Sequence, residues 1–158
     1  MFRIAVVLPF VLAASLAGAG ELPPRKPGLW EVMIGLPGSA STTKMRYCVG
    51  PGRDWKTDNC TKHDVTKTDK GYLIESICQV GPYTMTSRNI VGGDFETALT
   101  IEGEVKTRGA AGLDPNHASP GRNVQRYLGP CESGQSPGDI ISQDGRITPW
   151  SARNQLGR

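Results

Sequence analysis

From Leu29 onward, apolar and polar residues alternate in short runs that end at Gly, Pro, Asp or Asn. In the first run Trp30, Val32 and Ile34 share one side while Glu31 and Met33 take the other, which is the two-residue period of a β-strand. Residues 42–49 repeat the pattern, with Met45, Tyr47 and Val49 opposite Lys44, Arg46 and Cys48. A weak strand over 60–67, the turn Asp69-Lys70-Gly71 and a strong strand over 72–80 read as a hairpin, and a further strand covers 83–91. Gly92-Gly93-Asp94 is a turn. It leads into the cleanest alternation in the chain: Phe95, Thr97, Leu99, Ile101 and Val105 on one side, with Glu96, Thr100, Glu102, Glu104 and Lys106 on the other. A strand with one wet face belongs to an antiparallel sheet. Residues 107–122 hold Gly and Pro without period and predict a long loop, after which 123–128 form the last strand.

No stretch carries the spacing of an amphipathic helix. The prediction is therefore all-β: a single antiparallel sheet of about seven strands in meander order, curled into a half-open or small barrel. Trp30, Val32, Ile34, Phe95, Leu99 and Ile101 form its inward face.

One run breaks the alternation. Met1-Phe2-Arg3 is followed by an apolar stretch from Ile4 to about Leu16, closing with Ala17-Gly18-Ala19. A basic start, a short apolar core and a small-x-small end describe a cleavable signal peptide. The run is short for the ~20 residues of a membrane span. Cleavage after Ala19 predicts a periplasmic or secreted protein with no transmembrane anchor after processing. The chain divides into a signal peptide (1–19), a disulfide-linked antiparallel domain (20–131) and a loosely ordered C-terminal tail (132–158).

Four cysteines, Cys48, Cys60, Cys78 and Cys131, all follow the leader. An even number in an oxidising compartment predicts two disulfides, with three possible connectivities. A hairpin folding at about residue 69 sets Cys60 nearly opposite Cys78, within bridging reach. Cys48 and Cys131 then pair by elimination. There is no C-x-x-C pair and no histidine at ligand spacing, so the cysteines do not read as a metal site.

Net charge is +3 and the lysines and arginines are scattered, which gives no nucleic-acid interface. Gly134-Gln135-Ser136-Pro137-Gly138 fits the serine-hydrolase elbow formally. That motif needs an oxyanion-hole N–H on the residue after the serine, and Pro137 has none. His63 and His117, the two histidines, fall on a strand and in the long loop with nothing to bring them together. Glu96, Glu102 and Glu104 read as the solvated face of a strand rather than as an acid–base pair. No catalytic, cofactor-binding or metal-binding residue is assigned. Trp55, His117 and Trp150 are the candidate contact residues for a ligand or partner.

Several motifs together point to a family. Lys26-Pro27-Gly28-Leu29-Trp30-Glu31-Val32, Tyr47-Cys48-Val49, Tyr127-Leu128-Gly129-Pro130-Cys131 and Ser136-Pro137-Gly138-Asp139 resemble the bacterial exported family DUF3617. The resemblance runs from Pro27 to about Gly145. It implies a periplasmic or secreted location and supplies no catalytic residue. The functional expectation is a non-catalytic binding or envelope-associated structural module. Its candidate partners are a small apolar ligand, a lipid or another envelope protein. The alternative is a hydrolytic or redox enzyme whose site forms only in three dimensions.

Overall fold

The computed structural model describes residues 20–36, 42–52, 58–109, 112, 114 and 116–149. Their alternating sequences form nine strands: β1 (Gly28–Gly35), β2 (Thr42–Val49), β3 (Cys60–Thr68), β4 (Gly71–Val80), β5 (Tyr83–Gly93), β6 (Ala98–Arg108), β7 (Ala118–Gly129), β8 (Ile140–Ser142) and β9 (Ile147–Thr148). All pairings are antiparallel, in one sheet of order β3-β4-β5-β6-β7-β1-β2-β8-β9.

The all-β, single-sheet architecture agrees with the alternation. Three finer expectations are corrected. The sheet has nine strands rather than seven, because Ile140-Ile141 and Ile147 add short strands beside β2. It is not a simple meander, since β1 and β2 pair beyond β7. Nor is it a barrel: β3 and β9 are its two ends, and no strand pairing joins them. The 107–122 loop also shrinks, because β6 runs to Arg108 and β7 starts at Ala118. Gly103 pairs with Gly121 and Glu104 with Pro120, so strand pairing continues through residues that carry no strand signal of their own.

Trp30, Val49, Val65, Ile74, Val91, Leu99, Phe95 and Leu22 make one buried cluster drawn from six strands, the β5–β6 turn and the segment before β1. Phe95 reaches it from the turn and not from β6. Asp94 accepts hydrogen bonds from the backbone N–H groups of Glu96, Thr97 and Ala98 and from the Thr97 hydroxyl. This cap holds the turn in which Phe95 adopts φ 62°, a left-handed conformation rare for a bulky residue. The Phe95 ring then meets Tyr72 edge-on at 5.8 Å.

The segment 20–27 crosses the sheet as a strap. Gly20 N–H donates to the Val65 carbonyl at 2.8 Å, Leu22 is buried, and Lys26 N–H donates to the Phe95 carbonyl at 2.8 Å. Arg25 donates to Gln125 and lies 5.8 Å from the Trp30 ring centre, while Trp30 Nε1–H donates to the Lys26 carbonyl. The strap thus ties the edge strand β3 to the central strand β1. Gly28, at φ 140°, turns the strap into β1; a Cβ there would overlap the Gly129 carbonyl oxygen and the Tyr127 ring.

Two disulfides close the chain, Cys48–Cys131 and Cys60–Cys78. The first joins β2 to the residues just after β7. Beside it Leu29, Cys48 and Ile141 are buried on the side of the sheet away from Trp30.

Candidate ligand-binding face

Directly paired residues in an antiparallel sheet point to the same side, so the register assigns strand residues to faces. One face, here the outer, carries Lys62 and Asp64 of β3, Glu75 of β4, Arg88 of β5, Glu102, Glu104 and Lys106 of β6, and Arg122 of β7. These charges largely serve one another: Arg88–Glu75 at 3.2 Å, Lys62–Asp64 at 3.2 Å and Arg122–Glu102 at 2.8 Å. A shallow depression of about 220 Å³ lies among Lys62, Glu75, Arg88, Glu104 and Lys106. Such exposed pairs contribute only ~0–1 kcal/mol each, and they keep this face wet. The carboxylates do not converge as an acid–base pair: Glu75 and Glu102 are held by cations, and Glu96 lies in the β5–β6 turn rather than on β6.

The inner face differs. Its upper part is the buried cluster under the strap. Below it the register runs from Ser76 to Ser87, Val105 and Ser119, and from Asn89 to Gly103 and Gly121. Ile101 leads to Asn123 and Ile34, and Val32 leads to Met45. Lower still, Val80 pairs with Tyr83 and Cys78 with Met85. From Ser76 downward, the inner positions of β4, β5, β6, β7, β1 and β2 hold no Asp, Glu, Lys or Arg. Four large apolar side chains of this region stand open to solvent. They are Ile34 (40% exposed), Val80 (46%), Tyr83 (40%) and Leu36 (59%), the last continuing the β1 alternation just past the strand end.

A polar belt separates the two halves. Gln125 is buried and held by Arg25, and the Ser76 and Ser87 hydroxyls share a hydrogen bond of 2.7 Å. Asn123 Oδ1 is buried without a hydrogen-bond partner among the described residues. A buried acceptor left unpaired costs ~1–3 kcal/mol, so this oxygen calls for a partner, a water or a ligand donor.

The residues singled out from the sequence fall elsewhere. Trp55 and Trp150 lie outside the described residues. His117 is exposed just before β7, its N–H bonded to the Asp114 carbonyl, while His63 sits half-buried opposite Ser76 on β3. Ser136 lies in a turn where its N–H donates to Asp139 Oδ2, and a short strand follows rather than a helix. Among the described residues, no group of three or more His, Cys, Asp or Glu side chains is placed to hold a metal ion. The open apolar half and Asn123 carried a signal that the sequence reading passed over. Val80, Tyr83, Met85 and Asn123 all stand in the alternation at inward positions.

These features define an all-β, disulfide-linked protein whose single sheet is densely charged on one side, while the lower half of the other side carries no Asp, Glu, Lys or Arg from β4 to β2. The model of the family described as "Protein of unknown function (DUF3617)" matches residues 25–131, and the chain belongs to that family. The matched region runs from the strap arginine to the second cysteine of the Cys48–Cys131 bridge. No curated protein and no solved structure matches the chain. Among the described residues, no helix is long and apolar enough to cross a membrane.

Proposed function

We propose that this protein is an exported, non-catalytic binding module that holds the acyl chain of a lipid on the open half of its inner face. The observation that carries the reading is that Ile34, Leu36, Val80 and Tyr83, all 40% or more exposed, lie in the half of the inner face that holds no Asp, Glu, Lys or Arg from β4 to β2. They form two pairs, Val80 with Tyr83 on β4–β5 and Ile34 with Leu36 at the end of β1, with uncharged inner positions of β5, β6 and β7 between them. Exposed apolar side chains at both ends of one uncharged stretch suit an apolar ligand laid across it. From β4 to β2 the face spans five strand spacings of ~4.8 Å, or about 24 Å, a length suited to an extended chain. Export is supported by the leader-like residues 1–19 and by two disulfides, which persist in oxidising compartments.

The test is a titration of the mature protein with a fluorescent long-chain acyl probe, alongside organic extraction of protein isolated from the periplasm. Val80→Asp and Ile34→Asp, at positions already open to water, should weaken the probe by tenfold or more and leave the thermal melt nearly unchanged. Thr86→Asp on the outer face should bind as the wild type does. Unsaturable binding, or equal loss in the Thr86 variant, would remove the proposal.

A further inference from the structure

Resting on the lipid-binding reading, we infer that the polar belt is a head-group subsite, and that it selects an amphiphile whose head is an uncharged hydrogen-bond donor such as a hydroxyl. Four inner-face residues carry this. Gly103 and Gly121 are direct partners on β6 and β7, so the sheet there has a bare glycine floor. Over Gly121 a Cβ would meet nothing within 4 Å, while one on Gly103 would run into Asn89 Oδ1. The Asn89 carboxamide therefore lies across Gly103 at one edge of the gap. Asn123, two residues along β7 from Gly121 and on the same face, stands at another edge with its buried, unpartnered Oδ1.

The chemistry follows from this placement. A gap floored by backbone and edged by carboxamides offers hydrogen bonds and no formal charge. From Ser76 downward the inner positions of β4, β5, β6, β7, β1 and β2 carry no Asp, Glu, Lys or Arg, and the one ionisable neighbour at that level is His63 on β3, opposite Ser76. A charged head would lose its hydration there, and the cation at the belt, Arg25, is already engaged with Gln125, whereas a neutral donor needs only one acceptor. Asn123 Oδ1 is the acceptor assigned to it, a buried oxygen with no hydrogen-bond partner among the described residues. Below the gap lie Val105, Met85 and Tyr83, so a head held at Asn123 sends its tail onto the open apolar half.

A matched pair of probes separates this subsite from the apolar face that supports it. Calorimetry on the mature protein compares a long-chain primary alcohol with its methyl ether, which has the same tail but no donor. The expected result is about a tenfold preference for the alcohol, the ratio one net hydrogen bond provides. Asn123→Leu should erase the preference while leaving ether binding intact. Gly121→Val, where the added side chain enters open space, should weaken the alcohol without unfolding the protein. The matching alkyl sulfate should bind more weakly than the alcohol. Equal affinity for alcohol and ether in the wild type would overturn the subsite and leave the apolar face standing. Failure of both to bind would overturn the two readings together.

Discussion

Cys60 stands directly across the β3–β4 ladder from Cys78, and it does so because Thr61 is skipped. From Lys62 to Thr68 the hairpin runs in regular register, which continued would set Thr61 opposite Cys78 and turn Cys60 to the other face. A β-bulge at Thr61 absorbs one residue and returns Cys60 to the side of its partner, with Cα atoms 3.8 Å apart. Covalent closure of the edge hairpin depends on that single extra residue.

Deleting Thr61 should remove the bulge yet keep the bridge, since Cys60 then takes the regular position opposite Cys78. Inserting one glycine between Lys62 and His63 should instead turn Cys60 away and leave two titratable thiols. Thiol titration under denaturing conditions reads both outcomes; free thiols in the deletion variant would contradict the register. Replacing both cysteines by serine, across a sequence separation of 18, should cost about 3 kcal/mol in the chain-entropy view.

Asp94 supplies a pH-dependent element. The Thr97 hydroxyl, then the N–H groups of Thr97, Ala98 and Glu96, hold its carboxyl far below the ordinary 3.8. A carboxylate whose folded pKa is depressed stabilises the fold above the unfolded value, and that stability is lost as pH falls through the unfolded value toward the folded one. The melting temperature of the wild type should therefore exceed that of Asp94→Asn at pH 7, and the gap should close between about pH 5 and pH 2. A gap independent of pH would mean that the cap acts by shape alone.

How much of this was legible in the sequence depends on what set each element. The alternation located the strands from Trp30 to Val91 because each buries one face, and β-period patterning reports burial directly. It failed at Phe95, whose burial comes from a left-handed turn held by Asp94 rather than from the strand that follows. It also stopped short at Ala118–Arg122, where Gly121 and Pro120 join β7 through pairing with β6 and not through propensity. The strap was illegible for a different reason. Leu22 has no periodic neighbour, and Gly20 and Lys26 are fixed by backbone hydrogen bonds to residues far along the chain. Side-chain pattern does not record backbone partners.

Trp30 is fully buried, edge-on to Tyr127 at 5.6 Å, with its indole N–H bonded to the Lys26 carbonyl. Trp30→Ala should cost about 3–5 kcal/mol, the range for emptying an aromatic site in a close-packed core. Trp30→Phe should recover most of the packing and leave the Lys26 carbonyl without its donor. Denaturant titration separates the two losses. A small effect of the alanine variant would show that the cluster collapses onto the gap.

The strap gives the last prediction, and it joins the fold to processing. Gly20 follows Ala19, the bond at which the leader pattern places cleavage, and its nitrogen already donates to the Val65 carbonyl on the sheet edge. Hydrolysis of that bond turns the donor into an α-ammonium, and a charged donor makes the stronger hydrogen bond. Intact mass of the exported protein should correspond to residues 20–158. Leu22→Ala should destabilise it by about 2–5 kcal/mol, because the side chain is lost from the buried cluster. Removing residues 20–24 should go further and speed amide exchange in β3, since the carbonyl edge at Val65 would lose its cover. A mature protein beginning several residues later with β3 still protected would show that the strap is dispensable and that β3 is held by the Cys60–Cys78 hairpin alone.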